Sequence, residues 1–295
     1  MGYSQHQSFY LRDRWLSKAI KNVQENNSFF YEKDAFEKMG LGKNMVQSLK
    51  YWIIATKIYE EVKDHNPKYH QITSLGNFIK EKDRAIKYFN TAGLLHHSLA
   101  TNEDVSTTWY WFFNVYSETV FTREDVLGDL TNWVQKREKR VVSENSLKRD
   151  IDCLIKLYTS GGSAADPEEV ILSPLYKLNL LEERNGVLYK KEAKFDNDNL
   201  MLLGFTLLKY VQKHNLDAIS IDDLVHKEGL LGKLFNMNRS SIVSLISEWT
   251  EHPEYPAIFT RTNNLDTLRL PEVSPEEFIY YEHERKVEKI YDYSK

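Results

Sequence analysis

The sequence contains few of the residues that break helices or cross-link chains. Its 295 residues include only 12 glycines, 7 prolines and one cysteine, Cys153. This scarcity of glycine and proline excludes a collagen-like or low-complexity chain and favours helices. A lone cysteine excludes an internal disulfide and a cysteine-rich zinc site. We expect Cys153 to be a small buried side chain on a helix, and a persulfide-carrying thiol is the alternative.

Long apolar runs and common catalytic strings are also absent. The sequence holds no stretch of about 18 apolar residues and no apolar segment of the kind found in secretory signals. Walker, GxGxxG, GxSxG and HExxH strings do not occur, so we expect no nucleotide cofactor and none of the commonest hydrolase arrangements. These features predict a cytoplasmic, mostly helical protein that does not associate with membranes.

Charge is unevenly distributed along the chain. The formal net charge is -4. Residues 1–59 nevertheless contain nine basic and five acidic side chains, whereas the stretch from Glu272 to Glu288 is acidic. A polyanion partner responds to local charge rather than to the net value, so the basic first fifth is compatible with nucleic-acid binding.

The segment from Asp34 to Tyr59 predicts a helix-turn-helix. Asp34 suits the start of a short helix that ends at Gly40, and a longer amphipathic helix follows Gly42. The Tyr69 region then reads as a β-hairpin, which gives a winged-helix layout. We expect the outward face of the second helix to contact double-stranded DNA through Lys43, Asn44, Gln47, Ser48, Lys50 and Tyr51. The alternative is the solvated face of an ordinary helical hairpin.

Two further segments repeat this pattern. In the first, Ser143 caps a helix and a hairpin turns at Asn185-Gly186, so that Lys190 and Lys191 become candidate phosphate contacts. The second runs from Ile221 to Trp249. The predicted fold is therefore a mostly α-helical α+β protein with tandem winged-helix modules, in two domains that span 1–140 and 141–295. The Gly/Ser-rich stretch from Thr159 to Pro167 is predicted to be a loop.

Several side chains invite catalytic interpretations that have plainer alternatives. Asp150 and Asp152 lie two positions apart on a predicted helix and point to nearly opposite sides, so they cannot share a metal ion unaided. Glu192 begins a (D/E)xK string of the kind found in magnesium nucleases. The pair His96-His97 and the aromatic run from Thr107 to Tyr116 are predicted to be structural and buried, with metal binding and base stacking as the alternatives.

The chain resembles a bacterial family that is catalogued as a domain of unknown function and that includes the SspB-like components of the Ssp DNA phosphorothioation system. The resemblance covers nearly the whole sequence and is densest in its first half. The matching strings are His6-x-x-Phe9-x-x-Arg12-x-x-Trp15, Gly40-Leu-Gly-Lys-Asn-Met-Val46, Thr73-x-x-Gly76-x-x-Ile79-x-x-x-Asp83, Leu94-Leu-His-x-x-Leu99, Thr108-Trp-Tyr-Trp-Phe-Phe-Asn114 and Lys148-Arg-Asp-x-Asp152.

This resemblance implies a DNA-engaging protein that nicks one strand so that partners can install sulfur. The partners implied are a cysteine desulfurase, a sulfur transferase and an ATPase. Strand hydrolysis would use Mg²⁺ or Mn²⁺ held by carboxylates, and Asp83, Asp150, Asp152 and Glu192 are the candidates. For each of these acids the alternative role is a helix cap or an ion pair. The competing function is a non-catalytic winged-helix adaptor or transcriptional regulator.

Overall fold

The computed structural model describes residues 2–160, 172–195, 200–261 and 266–292, so most of the predicted loop from Thr159 to Pro167 lies outside the described residues. The chain forms a mostly helical α+β protein with small antiparallel sheets, as predicted. It divides into two compact units, Met1–Lys191 and Glu192–Lys295. None of the helices in the described ranges combines the length and apolarity needed to cross a membrane.

The first unit contains eight of the described helices and three antiparallel pairings of short strands. The helices are α1 (Trp15–Glu25), α2 (Ala35–Met39), α3 (Lys43–Ala55), α4 (Ser74–Lys82), α5 (Phe89–Thr101), α6 (Thr107–Asn114), α7 (Arg123–Arg137) and α8 (Glu144–Thr159). The strands are β1 (Tyr59–Val62), β2 (Tyr69–Ile72), β3 (Val120–Phe121), β4 (Leu181–Arg184) and β5 (Val187–Lys190). β1 pairs with β2, and the other three form a sheet in the order β3-β5-β4.

The second unit repeats the arrangement of the last sheet and its helices. Its helices are α9 (Leu200–His214), α10 (Ile221–His226), α11 (Leu231–Leu234), α12 (Arg239–Thr250) and α13 (Pro275–Asp292). Its strands are β6 (Ile219–Ser220), β7 (Ile258–Arg261) and β8 (Asp266–Arg269). They form a sheet in the order β6-β8-β7, so a strand that precedes the helices pairs with the last strand of the hairpin, as β3 does with β5.

Local sequence signals set several of these boundaries. The Ser143 side chain accepts a hydrogen bond from the Ser146 amide at 3.2 Å, which satisfies a free N–H at the start of α8. Asn185 and Gly186 have φ angles of 51° and 80° and join β4 to β5. Positive φ at both positions defines the type I′ turn that suits a two-residue hairpin, so this predicted hairpin is confirmed.

The core of the first unit is built around α5 and α6. Each residue of α5 from Asn90 to Ala100 is buried, including His96 and His97. In α6 the buried side chains include Trp109, Trp111, Phe112 and Phe113. Because these aromatic rings pack against one another inside the unit, the predicted structural role of the aromatic run is confirmed. Cys153 on α8 is buried as expected, and burial raises the pKa of its thiol.

The division between the units lies further along the chain than the predicted boundary at residues 140 and 141. That position falls in the connection between α7 and α8, and these two helices pack against each other within the first unit. The same unit continues through the β4–β5 hairpin, because β5 pairs with β3 of the preceding segment. The connection between α7 and α8 is polar and charged, so its sequence resembles an interdomain linker. The two helices that it joins nevertheless pack in the same core.

The backbone at the start of α4 packs closely against the segment that follows α3. The Thr73 hydroxyl donates to the Lys57 carbonyl at 2.5 Å and accepts from the Gly76 amide at 2.9 Å. A Cβ atom at Gly76 would lie 2.1 Å from the Ile58 carbonyl oxygen. Backbone cannot move aside as a flexible side chain can, so only glycine fits at this position.

We predict that Gly76→Ala lowers the free energy of unfolding by about 1–3 kcal/mol, because the added methyl group forces the two backbones apart. Gly128→Ala is the matched control, since Gly128 is exposed on α7 and a Cβ there meets nothing within 4 Å. The control should stabilise by about 0.5–1 kcal/mol, because alanine favours helix. Urea unfolding curves measure both, and equal effects of the two variants would contradict the close approach.

Candidate nucleic-acid interface and acidic residues

The N-terminal half of α3 presents the outward face that the sequence predicts. Gly40, with a φ of 64°, ends α2 in the left-handed conformation, and α3 begins directly after Gly42. Lys43, Asn44 and Gln47 are exposed on one side of α3. The Lys43 ammonium lies 4.8 Å from the centre of the Phe36 ring, so this cation remains at the surface beside α2.

Two residues predicted for the same face are buried instead. Ser48 donates a hydrogen bond to the Phe9 carbonyl at 3.1 Å, and Trp52 donates to the same oxygen at 3.0 Å. Tyr51 is buried as well, and burial raises the pKa of its hydroxyl well above the usual value. The N-terminal segment covers this side of α3, so the helix has a second buried side that its own periodicity does not show. The outward orientation predicted for Ser48 and Tyr51 is wrong.

Lys50 is half-buried and held by a carboxylate on the adjacent hairpin. Its ammonium lies 2.8 Å from Glu61 of β1 and 4.0 Å from the centre of the Tyr31 ring. The Tyr31 hydroxyl also donates to Glu61. Partial burial by itself raises the pKa of Glu61, but the hydrogen bonds from Lys50 and Tyr31 outweigh it and lower that pKa to about 2. The Lys50 charge is therefore already compensated inside the protein.

The two lysines at the end of β5 do not extend from the tip of a wing. The Lys190 ammonium donates to the carbonyl oxygens of Phe112 and Tyr116, at 2.9 and 2.5 Å, at the end of α6. Carbonyls at a helix C-terminus lack backbone partners and attract a cation, which explains why this lysine turns inward. Lys191 forms an ion pair with Glu182 at 3.3 Å on the neighbouring strand. The predicted outward position of Lys190 is wrong.

Asp83 has a structural role at the end of α4. Its carboxylate accepts hydrogen bonds from the backbone amides of Lys87 at 2.8 Å and Tyr88 at 3.0 Å. The side chain is buried, and the loop that it closes leads directly into α5. Both carboxylate oxygens are thus used in holding the α4–α5 connection.

Asp150 is the most enclosed of the four candidate acids. One carboxylate oxygen accepts from the Ser4 amide at 2.8 Å and from His6 Nε2 at 2.7 Å, and the other accepts from the Thr108 hydroxyl at 2.8 Å. The His6 ring itself lies among Tyr51, Trp52 and Trp109. Asp150 is only 1% exposed, and such a buried charge is tolerated because it is paired and hydrogen-bonded. Sequence strings around His6 and Thr108 matched the family, but their contact with Asp150 was not predicted.

Asp152 and Glu192 lie apart from this cluster. Asp152 is 45% exposed and forms an ion pair with Arg123 of α7 at 3.3 Å. Asp150 and Asp152 thus face opposite sides of α8, as their spacing predicts. Glu192 belongs to the second unit, where it accepts hydrogen bonds from the backbone and side-chain amides of Asn238 at 3.2 and 2.7 Å, just before α12.

The candidate acids do not assemble a metal site. Across the ranges that the structure describes, no three His, Cys, Asp or Glu side chains are grouped so that they could hold an ion. A catalytic magnesium site normally has several oxygen ligands converging on one point. Among the described residues, the four candidate acids therefore do not converge on a site for Mg²⁺ or Mn²⁺.

Comparison with known proteins assigns the chain to a family. The sequence matches the family described as a protein of unknown function (DUF4007) over residues 3–281, and the chain belongs to that family. The fold is similar to an SspB crystal structure at 22% identity and to a magnesium ion-bound SspB crystal structure at 21% identity. Each comparison has a TM-score of 0.83 and covers 97% of this chain and 87% of the other. No curated protein sequence matches.

We predict that Asp150→Ala destabilises the protein by about 3–5 kcal/mol, because three donors to its carboxylate lose their acceptor inside the core. Asp152→Ala on the same helix is the control and should cost less than about 1 kcal/mol, since its ion pair is solvated. Thermal unfolding followed by circular dichroism measures both. If the Asp150 variant does not accumulate, Asp150→Asn replaces it. Equal stabilities of the two single variants would contradict a structural role for the buried carboxylate.

A buried imidazole beside Lys50 makes stability depend on pH. His70 of β2 packs between Phe30 and Tyr31, with ring centres 5.5 and 5.4 Å away, and neither ring nitrogen has a hydrogen-bond partner within the described part of the chain. Burial, together with the nearby Lys50 charge, lowers the pKa of His70 to about 4. In the unfolded chain an imidazole titrates near 6.5, so the unfolded state takes up this proton first.

We therefore predict that the folded protein loses stability as the pH falls from about 6.5 to about 4, by up to roughly 1.4 kcal/mol per pH unit from this one proton. His70→Leu should flatten that interval, because it removes the titrating group. His65→Leu, in the exposed β1–β2 loop, is the matched control and should keep the wild-type slope. Urea midpoints at half-unit pH steps test this, and an unchanged slope in the His70 variant would disprove it.

Proposed function

We propose that this protein is a double-stranded DNA-binding component of a bacterial DNA phosphorothioation system, in the role of the SspB-like proteins. The observation that carries the proposal is a threefold repetition of one arrangement. Consecutive helices precede a β-hairpin at α2–α3 with β1–β2, at α7–α8 with β4–β5, and at α10–α12, where the short α11 lies between the other two, with β7–β8.

We infer that each of these three arrangements is a winged-helix module. In the second and third modules a short strand before the helices pairs with the last strand of the hairpin, giving the orders β3-β5-β4 and β6-β8-β7. The hairpin thereby flanks the second helix of the pair, which is the helix that enters the major groove in helix-turn-helix proteins. In the first module Lys43, Asn44 and Gln47 of α3 remain outward-facing candidates for DNA contact.

Membership of the DUF4007 family and the likeness to SspB support the phosphorothioation setting. In that setting we propose that the partners are a cysteine desulfurase, a sulfur transferase and an ATPase. A lone buried Cys153 supports a protein that engages DNA and leaves sulfur transfer to others.

Two activities on DNA are compatible with this role. Strand nicking in the presence of Mg²⁺ or Mn²⁺ is favoured by the family resemblance and by the magnesium ion in a solved SspB structure. A non-catalytic adaptor or regulator is favoured by the geometry, because Asp83, Asp150 and Glu192 are each engaged in structural hydrogen bonds.

A supercoiled-plasmid assay distinguishes these activities. Purified protein is incubated with plasmid at low salt, with Mg²⁺, with Mn²⁺ and with EDTA, and the products are compared with the mobility shift of intact plasmid. Metal-dependent open-circle product that EDTA abolishes supports the nickase. A mobility shift without open-circle product supports the adaptor. Absence of any shift for linear or supercoiled DNA would disprove the proposed DNA-binding function itself.

A further inference from the structure

The outward face of α8 carries an exposed band of polar and basic side chains. Glu144 is exposed at the first position of α8, and further along the helix the exposed residues are Asn145, Lys148, Arg149 and Lys156. At 3.6 residues per turn these four positions lie within an arc of about 100°, which makes a single face. Leu147, Ile151 and Leu154 occupy the opposite, buried side.

The cations of this face outnumber the acids beside them. Lys148, Arg149 and Lys156 form no ion pair with any carboxylate in the described ranges. The acid in the middle of the face, Asp152, is bound to Arg123 of α7, which also pairs with Glu183 at 2.8 Å. Because Arg123 is shared by two carboxylates, one negative charge of this group remains beside the helix cations, which outnumber it.

The turn before α8 extends the same basic character. Lys139 and Arg140 are exposed between α7 and α8, and neither forms an ion pair with a described residue. Together with the α8 face they place five cations that form no ion pair among the described residues on the turn and second helix of one helix-turn-helix. We call these five residues, with Asn145, the α8 basic face.

The corresponding helices of the other two modules, α3 and α12, carry fewer exposed cations. On α3 the Lys50 ammonium is bound to Glu61, so Lys43 is the exposed cation that remains. On α12 Arg239 pairs with Asp266 at 3.0 Å, and much of the exposed surface consists of serines. Of these three helices, α8 therefore carries the most cations without an ion pair among the described residues.

We propose that the α8 basic face is the principal contact of this protein with the sugar-phosphate backbone of duplex DNA. The proposal rests on the proposed DNA-binding function and specifies which of the three modules makes most of the phosphate contacts. Lys148 and Lys156 are separated by eight residues, or about 12 Å along the helix axis, which is close to the width of the major groove. Each phosphate neutralised releases condensed counterions, which is the main source of such affinity.

The buried side of α8 fixes the direction in which this face points. Asp150 is held on the inward side by His6 and Thr108, at 2.7 and 2.8 Å. Rotation of the helix would withdraw that carboxylate from its donors. The same polar contact therefore orients the cations toward solvent, where a duplex can reach them.

The experiment measures binding of the full chain to a fluorescent 30-base-pair duplex by anisotropy at several salt concentrations. The test variant is Lys148→Ala/Arg149→Ala. The matched control is Lys21→Ala/Lys213→Ala, which removes two exposed lysines from α1 and α9 and changes the net charge equally. Lys148→Arg/Arg149→Lys keeps the charge and shows whether loss of binding follows charge rather than folding.

We expect the test variant to bind about tenfold more weakly at 0.1 M salt and to reduce the slope of log K against log salt by about 2, one for each phosphate contact. The control and the charge-conserving variant should keep the wild-type slope. Wild-type binding with an unchanged slope in the test variant would overturn the proposal while leaving the DNA-binding function intact. The same holds if Lys43→Ala/Asn44→Ala alone reduces the slope. No binding by the wild type would instead refute the DNA-binding function.

Discussion

The first unit depends on one buried negative charge. The Asp150 carboxylate lies inside the unit and joins the N-terminal segment to α8 and α6 through Ser4, His6 and Thr108. A carboxylate removed from water costs several kcal/mol unless donors surround it, so these segments cannot separate without exposing an unpaired group. The position of the N-terminal segment then decides which sides of α3 are covered, because Phe9 accepts hydrogen bonds from Ser48 and Trp52.

The same requirement separates the residues that hold the fold from those that can meet a ligand. The candidate acids Asp83, Asp150 and Glu192 accept hydrogen bonds from backbone or buried groups of the protein. The Lys190 ammonium donates to the Phe112 carbonyl. Five cations that form no ion pair among the described residues lie on α8 and in the turn before it. Side chains that take no part in the packing or hydrogen bonding of the core are therefore the ones available to bind a ligand.

Much of the local structure could be predicted from the sequence, because local signals decide it. The Gly40 helix end, the Ser143 cap and the Asn185-Gly186 turn each act over a few residues. The candidate site was less predictable, because remote residues decide it. Tyr51 and Ser48 are covered by a segment about 40 positions earlier, and Lys190 bonds to carbonyls more than 70 positions earlier. Helical periodicity identifies one buried side of α3, but a second side covered by another segment leaves no such pattern.

The contact between Ser4 and Asp150 also has a consequence for the order in which the protein folds. These partners are 146 residues apart, so the N-terminal segment leaves the ribosome long before its acceptor exists. Helix pairs such as α2–α3 and the tight β4–β5 hairpin close short loops and can form early, whereas this contact closes a loop that includes most of the first unit. Docking of the first residues should consequently be a late event during synthesis.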